Sequence, residues 1–245
     1  MLKDITERGV LGHALAFVYV IEFQKRGLPH VHLLLHLIEE DKLVEAEDID
    51  SIICAELPDP LQEPDLFSIV KACMIHGPCG VDNPKCPCME DGKCTKDYPK
   101  DFCDSTSPNT EGYPKYRRRS DGRTVNVKCP DGKFVLLDNR NVVPYCPWLT
   151  KKFNAHINVE ACTSLKSVKY LYKYIYKGHD CANIEIDEVI NHDEIKTYLD
   201  ARYVSSPEAV WRIFQFPMHA QSHSINRLPV HLPHCQYVYF KDGQQ

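Results

Sequence analysis

Two stretches near the N-terminus carry the apolar patterning of a sheet. Residues 14–22, ALAFVYVIE, are dense in β-branched and aromatic types, and residues 30–37, HVHLLLHL, form a second apolar run. Such residues fit a pleated, half-buried surface. Between the runs lies FQKRGLP, whose Gly27 and Pro29 punctuate a turn, so the pair predicts a β-hairpin. Residues 64–75, PDLFSIVKACMI, set Leu66, Ile69, Val70 and Cys73 on one helical face, with Pro64 suited to the first turn. Strand-like alternation returns at residues 153–160, FNAHINVE. A helix is predicted from about 164 to 177, two more over 192–202 and 206–215, and a short last strand near QYVYF.

The texture changes between Cys73 and about Pro147, where Cys, Pro, Gly and Asp replace long apolar runs. TVNVKC and FVLLD flank PDGK there and predict a second hairpin. The expected organisation is α+β. Residues 1–72 and 148–245 make one core, interrupted by a Cys-rich insertion, 73–147, held by metal more than by apolar packing.

Length, apolar content, cysteine count and charge sharpen this picture. The chain of 245 residues is long enough for a sizeable core. It has no run of about 18 apolar residues and no signal-peptide pattern, so an intracellular protein without a membrane partner is expected. Twelve cysteines, with Cys79, Cys86, Cys88 and Cys94 at short spacings, then read as metal ligands before disulfides. The net charge of −5 argues against a generally basic nucleic-acid binder. Any nucleic-acid surface must be local, and the acid is concentrated in residues 39–66 and 182–194.

Candidate chemistry sits on three elements. His30 and His32 are two apart on a strand, so both imidazoles point to one face. Glu22 and Gln24 share a face of the preceding strand, and two imidazoles with a carboxylate suit Mg²⁺ or Mn²⁺ when phosphate and water complete the shell. Lys25 and Arg26 in the turn are placed to hold a phosphate. A chance pair of solvated histidines is the plain alternative.

The second element is SVKYLYKYIYKG, residues 167–178. Counted from Lys166, residues Tyr170, Lys173, Tyr174 and Lys177 fall within an arc of roughly 100° of a helix. Tyr172 lies on the opposite, apolar side with Val168, Leu171 and Ile175. A tyrosine hydroxyl with an ordinary pKa near 10 becomes a nucleophile only beside positive charge or a polarised electrophile. The same pattern also fits an amphipathic helix with a solvated face.

The third is the Cys-rich segment, where Cys73, His76, Cys79, Cys86, Cys88, Cys94 and Cys103 offer more ligands than one tetrahedral Zn²⁺ takes. Reduced cysteines that merely pack are the alternative. Next comes KYRRRSDGR, in which Arg117, Arg118 and Arg119, with Tyr113 and Tyr116 nearby, fit either phosphate contacts with base stacking or a solvated loop. His156 and Asn158 share a strand face that either borders the site or hydrogen-bonds structurally.

Taken together, EFQKRGLPHVH, YLYKYIYK, HGPCG with CMEDGKC and YPK, and WRIFQFPMH with LPVHLP resemble the N-terminal Rep region of Helitron rolling-circle transposases. The likeness covers nearly the whole chain. It implies an HUH endonuclease: an antiparallel sheet with the His-x-His strand at its centre, a tyrosine helix across it and a zinc-bearing insertion. His30 and His32 match the HUH histidines, and Glu22 stands where related Rep proteins carry an acidic third ligand, with Gln24 as the alternative. Tyr170 and Tyr174 match the paired nucleophiles and Lys177 the lysine after them, with Lys173 and Lys166 on the same side. Among the cysteines the resemblance favours His76, Cys79, Cys88 and Cys94 for zinc, leaving Cys73, Cys86 and Cys103 as alternatives. It implies single-stranded DNA, at transposon ends, as partner, nicked in the nucleus through a 5′-phosphotyrosine. A catalytically silent DNA-binding module and a replication initiator are the rival readings. Helitron proteins also carry a helicase, but no G-x-x-x-x-G-K-[ST] loop occurs here.

Overall fold

A computed structural model describes residues 1–24, 27–108, 112–162 and 204–224. The architecture is mixed, with short helices around three small antiparallel sheets. In order, the elements are α1 (Leu2–Thr6), β1 (Ala14–Phe23), β2 (Pro29–Leu37), α2 (Ala46–Ile52) and α3 (Pro64–Cys73). Then come β3 (Met89–Glu90), β4 (Lys93–Cys94), β5 (Val125–Lys128), β6 (Phe134–Leu137), α4 (Pro147–Phe153), α5 (Ser206–Ile213) and β7 (His219–Gln221).

The apolar runs at 14–22 and 30–37 form the expected hairpin, with Glu22 opposite His30 and Val20 opposite His32. Gln24 accepts from the amide of Gly27 at 2.7 Å and donates its own amide to Leu28 at 3.0 Å, which closes the turn. Gly27 is required there. Its φ is +83°, and a Cβ would sit 2.6 Å from the Cβ of Ser205, the N-cap of α5. Trp211 of α5 in turn packs edge-on against Phe23 at 5.9 Å. The C-terminal part of the described chain is thus fastened to the hairpin, and β7 completes the link by pairing with β1.

Strand order is β2-β1-β7, so among the described residues β1 is central and the His-x-His strand is at the edge. The expectation that β2 is the middle strand would need a further strand from outside the described residues. The apolar side of β2, Leu33 and Leu35, packs on Ile5 of α1 and Leu149 of α4. The stretch 153–160 is corrected. Helix α4 runs to Phe153 and stops at Asn154 in the left-handed region, φ +46°, and no strand follows. The alternation is genuine, since Ile157 and Val159 face the core, but past the helix end the backbone bond found among the described residues is a single one, from the amide of Val159 to Pro144, and no ladder.

The largest buried cluster joins Leu66 and Val70 of α3 to Met74, Val125, Leu137, Val142 and Tyr145. Apolar packing therefore reaches across residue 73, through the second hairpin, β5 with β6. The helix expected at 206–215 is α5. The expected helices at 164–177 and 192–202 and the strand near QYVYF lie outside the described residues. Among the described residues no helix is long and apolar enough to cross a membrane.

Candidate metal centres

The ladder between β1 and β2 builds the first site. Directly opposed residues share a face, so Glu22 and His30 stand side by side with His32 two residues along. The imidazoles lie 4.7 Å apart, edge to face, and Nε2 of His32 is 3.5 Å from a Glu22 carboxylate oxygen. Gln24 lies beyond the end of β1 in the turn, so the carboxylate that meets the histidines is Glu22. Burial pulls both imidazoles below their ordinary range. The neighbouring His32 and His156 add to this at His30, and Glu22 opposes it at both. Neutral imidazoles, the form that binds metals, result at neutral pH. Two nitrogens and a carboxylate on an open face fit Mg²⁺ or Mn²⁺.

Two more histidines border this face. His156 Nδ1 is 2.7 Å from the carbonyl oxygen of Cys73, which leaves Nε2 as the outward nitrogen. His219 pairs with Val20 from β7, just as His32 does from β2, so it shares the face of the pair. His219 ends the stretch WRIFQFPMH, but local pattern assigns it no place at this face, because its register depends on a strand pairing across some 200 residues of chain.

The second centre lies in the Cys-rich segment. His76 Nε2 and the Sγ atoms of Cys79, Cys88 and Cys94 all fall within 4.8 Å of one another, and this group can hold a metal ion such as zinc. His76 arrives from the end of α3, where its amide donates to Asn141 at 2.8 Å. Its ring stacks on Tyr98 at 4.2 Å. Cys88 and Cys94 come from the β3–β4 hairpin, whose Asp91-Gly92 turn takes positive φ at both residues, 49° and 76°. Burial, then Lys100 and Lys96, keeps His76 low and hence neutral. Against burial, the amides of Tyr98 and Lys96 hold the Cys94 thiol below its usual range. Of the alternative ligands, Cys86 stands 3.4 Å from Cys88. Cys103 turns instead to the carbonyls of Ser105 and Tyr116, and Cys73 packs against the main core.

Within the arginine run, Arg118 is turned inward. Arg118 is only 4% exposed, and its Nη1 donates to the carbonyls of Asn139 (2.6 Å), Val142 (2.7 Å) and Ala55 (3.2 Å). Arg119 grips Glu56 with two nitrogens, and Arg117 meets Asp50 at 3.0 Å. Tyr116 is buried too, its hydroxyl accepting from the amide of Ala161. Phosphate contact by Arg118 and base stacking by Tyr116 are therefore corrected: both groups are spent inside the fold. Lys25, Arg26, Lys166, Tyr170, Lys173, Tyr174 and Lys177 lie outside the described residues.

The face shared by β1 and β2 brings two imidazoles and a carboxylate together. Residues 1–35 match a family model described as the Helitron helicase-like domain at the N-terminus. That match spans β1 and most of β2, and with them Glu22, Gln24, His30 and His32. No curated protein matches the chain.

Proposed function

We propose that this protein is a divalent-metal-dependent HUH endonuclease that cuts and rejoins single-stranded DNA in Helitron rolling-circle transposition. The observation that carries the reading is the β1–β2 register, which gathers Glu22, His30 and His32 on one exposed face. The Helitron match over the same strands supports it. Mg²⁺ or Mn²⁺ held by these residues would supply positive charge beside the scissile phosphate. Glu22 balances the ion and orients His32, while the two neutral imidazoles present their lone pairs.

In this reading Tyr170 or Tyr174 supplies the nucleophile. Its oxygen bonds to phosphorus, the P–O3′ bond breaks, and the 3′-oxygen leaves as a hydroxyl once protonated, so a 5′-phosphotyrosine remains. The second tyrosine permits another cut while the first strand is still attached, and reversal of the attack rejoins strands. Lys177 and Lys173 steady the phosphate, with Lys25, Arg26 and Lys166 along its path. The Cys-rich module holds a structural Zn²⁺, since four protein ligands leave no open position. A helicase domain in the full-length protein would supply unwinding, and the nature of the substrate implies work in the nucleus.

The test mixes metal-loaded protein with end-labelled single strands bearing transposon-end sequences, with Mn²⁺ or chelator, on denaturing gels. A metal-dependent adduct that Tyr170→Phe/Tyr174→Phe abolishes is expected. No adduct across varied substrates, with DNA binding intact, would instead identify a silent DNA-binding module. Preference for a replication-origin hairpin over transposon ends would identify an initiator.

A further inference from the structure

The Cys-rich module contains one sulfur more than its metal needs. His76, Cys79, Cys88 and Cys94 form a complete tetrahedral set. Cys86 nevertheless stands with its Sγ 3.4 Å from Cys88 Sγ, the same distance that separates His76 Nε2 from that sulfur. The backbone keeps it there. The amide of Cys86 donates to Asn83 at 3.1 Å, and the Cys86 carbonyl accepts from Met89 at 2.8 Å, so a turn around Pro87 holds both cysteines on one side. Both are partly exposed. A disulfide needs the sulfurs at about 2.05 Å, a closure of about 1.4 Å from the 3.4 Å at which they stand.

We propose that Cys86 and Cys88 are a peroxide-responsive pair whose oxidation to a disulfide withdraws Cys88 from the metal and opens the module. The proposal rests on the metal reading of His76, Cys79, Cys88 and Cys94. The Cys88 thiolate attacks one peroxide oxygen, the O–O bond breaks, and sulfenic acid and water form after proton uptake. The Cys86 thiol then attacks that sulfur and a second water leaves. Two thiols are oxidised and one peroxide is reduced to two waters. Only His76, Cys79 and Cys94 remain on the ion, so it escapes. The His76–Tyr98 stack and the β3–β4 hairpin lose their anchor.

The chain offers a clean readout, because cleavage after Lys85 and Lys93 yields the peptide CPCMEDGK, residues 86–93, with these two cysteines and no other. Full-length protein is assayed for zinc, treated with hydrogen peroxide beside a chromogenic chelator, alkylated and digested. Peroxide is expected to release zinc and to leave the peptide two hydrogens lighter and unalkylated. Cys86→Ser should keep its zinc before treatment and release it roughly tenfold more slowly. Equal release rates, or Cys88 joined to the peptides bearing Cys79 or Cys94, would overturn the pair. If untreated protein holds no zinc, the metal reading fails. The wild-type peptide mass still decides whether the two sulfurs join, even should the variant not fold.

Discussion

The β1–β2 hairpin and the Cys-rich module both gather side chains of metal-binding type, by opposite means. In the hairpin a long ladder from Phe23–Pro29 to Ala14–Leu37 sets Glu22 against His30 through backbone hydrogen bonds alone. Val18 and Val20 are buried beside them, so the strand is fixed whether or not an ion is present. In the module the two strands have two residues each, with Cys94 on one of them and His76, Cys79 and Cys88 outside both. So short a ladder cannot hold itself in water. Where the ladder fixes the side chains, a metal would be a guest; where the side chains must fix the chain, a metal would be part of the fold.

The sharpest way to break that contrast is to remove the zinc. Structural zinc in small modules carries on the order of 10 kcal/mol of apparent binding free energy, most of it expressed as folding. Chelation, or Cys79→Ser, is therefore expected to abolish amide protection at Met89, Thr95 and Asp97, whose backbone bonds stitch the module. Protection at Val18 to Val20 should persist. Hydrogen-exchange mass spectrometry reads both regions in one experiment. Module amides that stay protected without metal would end the distinction.

A second, smaller effect comes from the seam between module and core. Arg118 gives one nitrogen to three carbonyls on two separate segments. Arg118→Met keeps most of the volume but strips the donors. Stranding buried carbonyls costs about 1–3 kcal/mol each before relaxation, so a net loss of roughly 2–4 kcal/mol in denaturant unfolding is expected. A cost under about 0.5 kcal/mol would place the seam elsewhere.

Legibility in the sequence followed the range of the interactions. The first hairpin was readable because its strands are adjacent and its turn carries Gly27 and Pro29. The set His76, Cys79, Cys88 and Cys94 was reachable from local spacing joined to a family resemblance. Arg118 misled because charge in a sequence advertises solvent, whereas its partners at Ala55, Asn139 and Val142 are distant in the chain. The stretch at 153–160 misled because alternation reports a buried face and not a ladder partner. β7 was invisible, a three-residue strand whose place depends on β1.

The smallest expected effect falls on the hairpin site itself. Glu22 contributes a carboxylate near His32 and little packing, its side chain being 44% exposed. Glu22→Gln preserves shape and removes the charge. If the ladder alone holds the site, thermal unfolding should move by no more than about 0.5 kcal/mol, as for an ordinary surface substitution. Mn²⁺ affinity, followed by calorimetry or electron paramagnetic resonance, should fall roughly tenfold to a hundredfold, because the two imidazoles remain but no anion balances the ion. The pair of readouts matters more than either alone. Affinity lost at constant stability is the signature of a guest metal, whereas stability lost together with affinity would make the hairpin another module built around its ion.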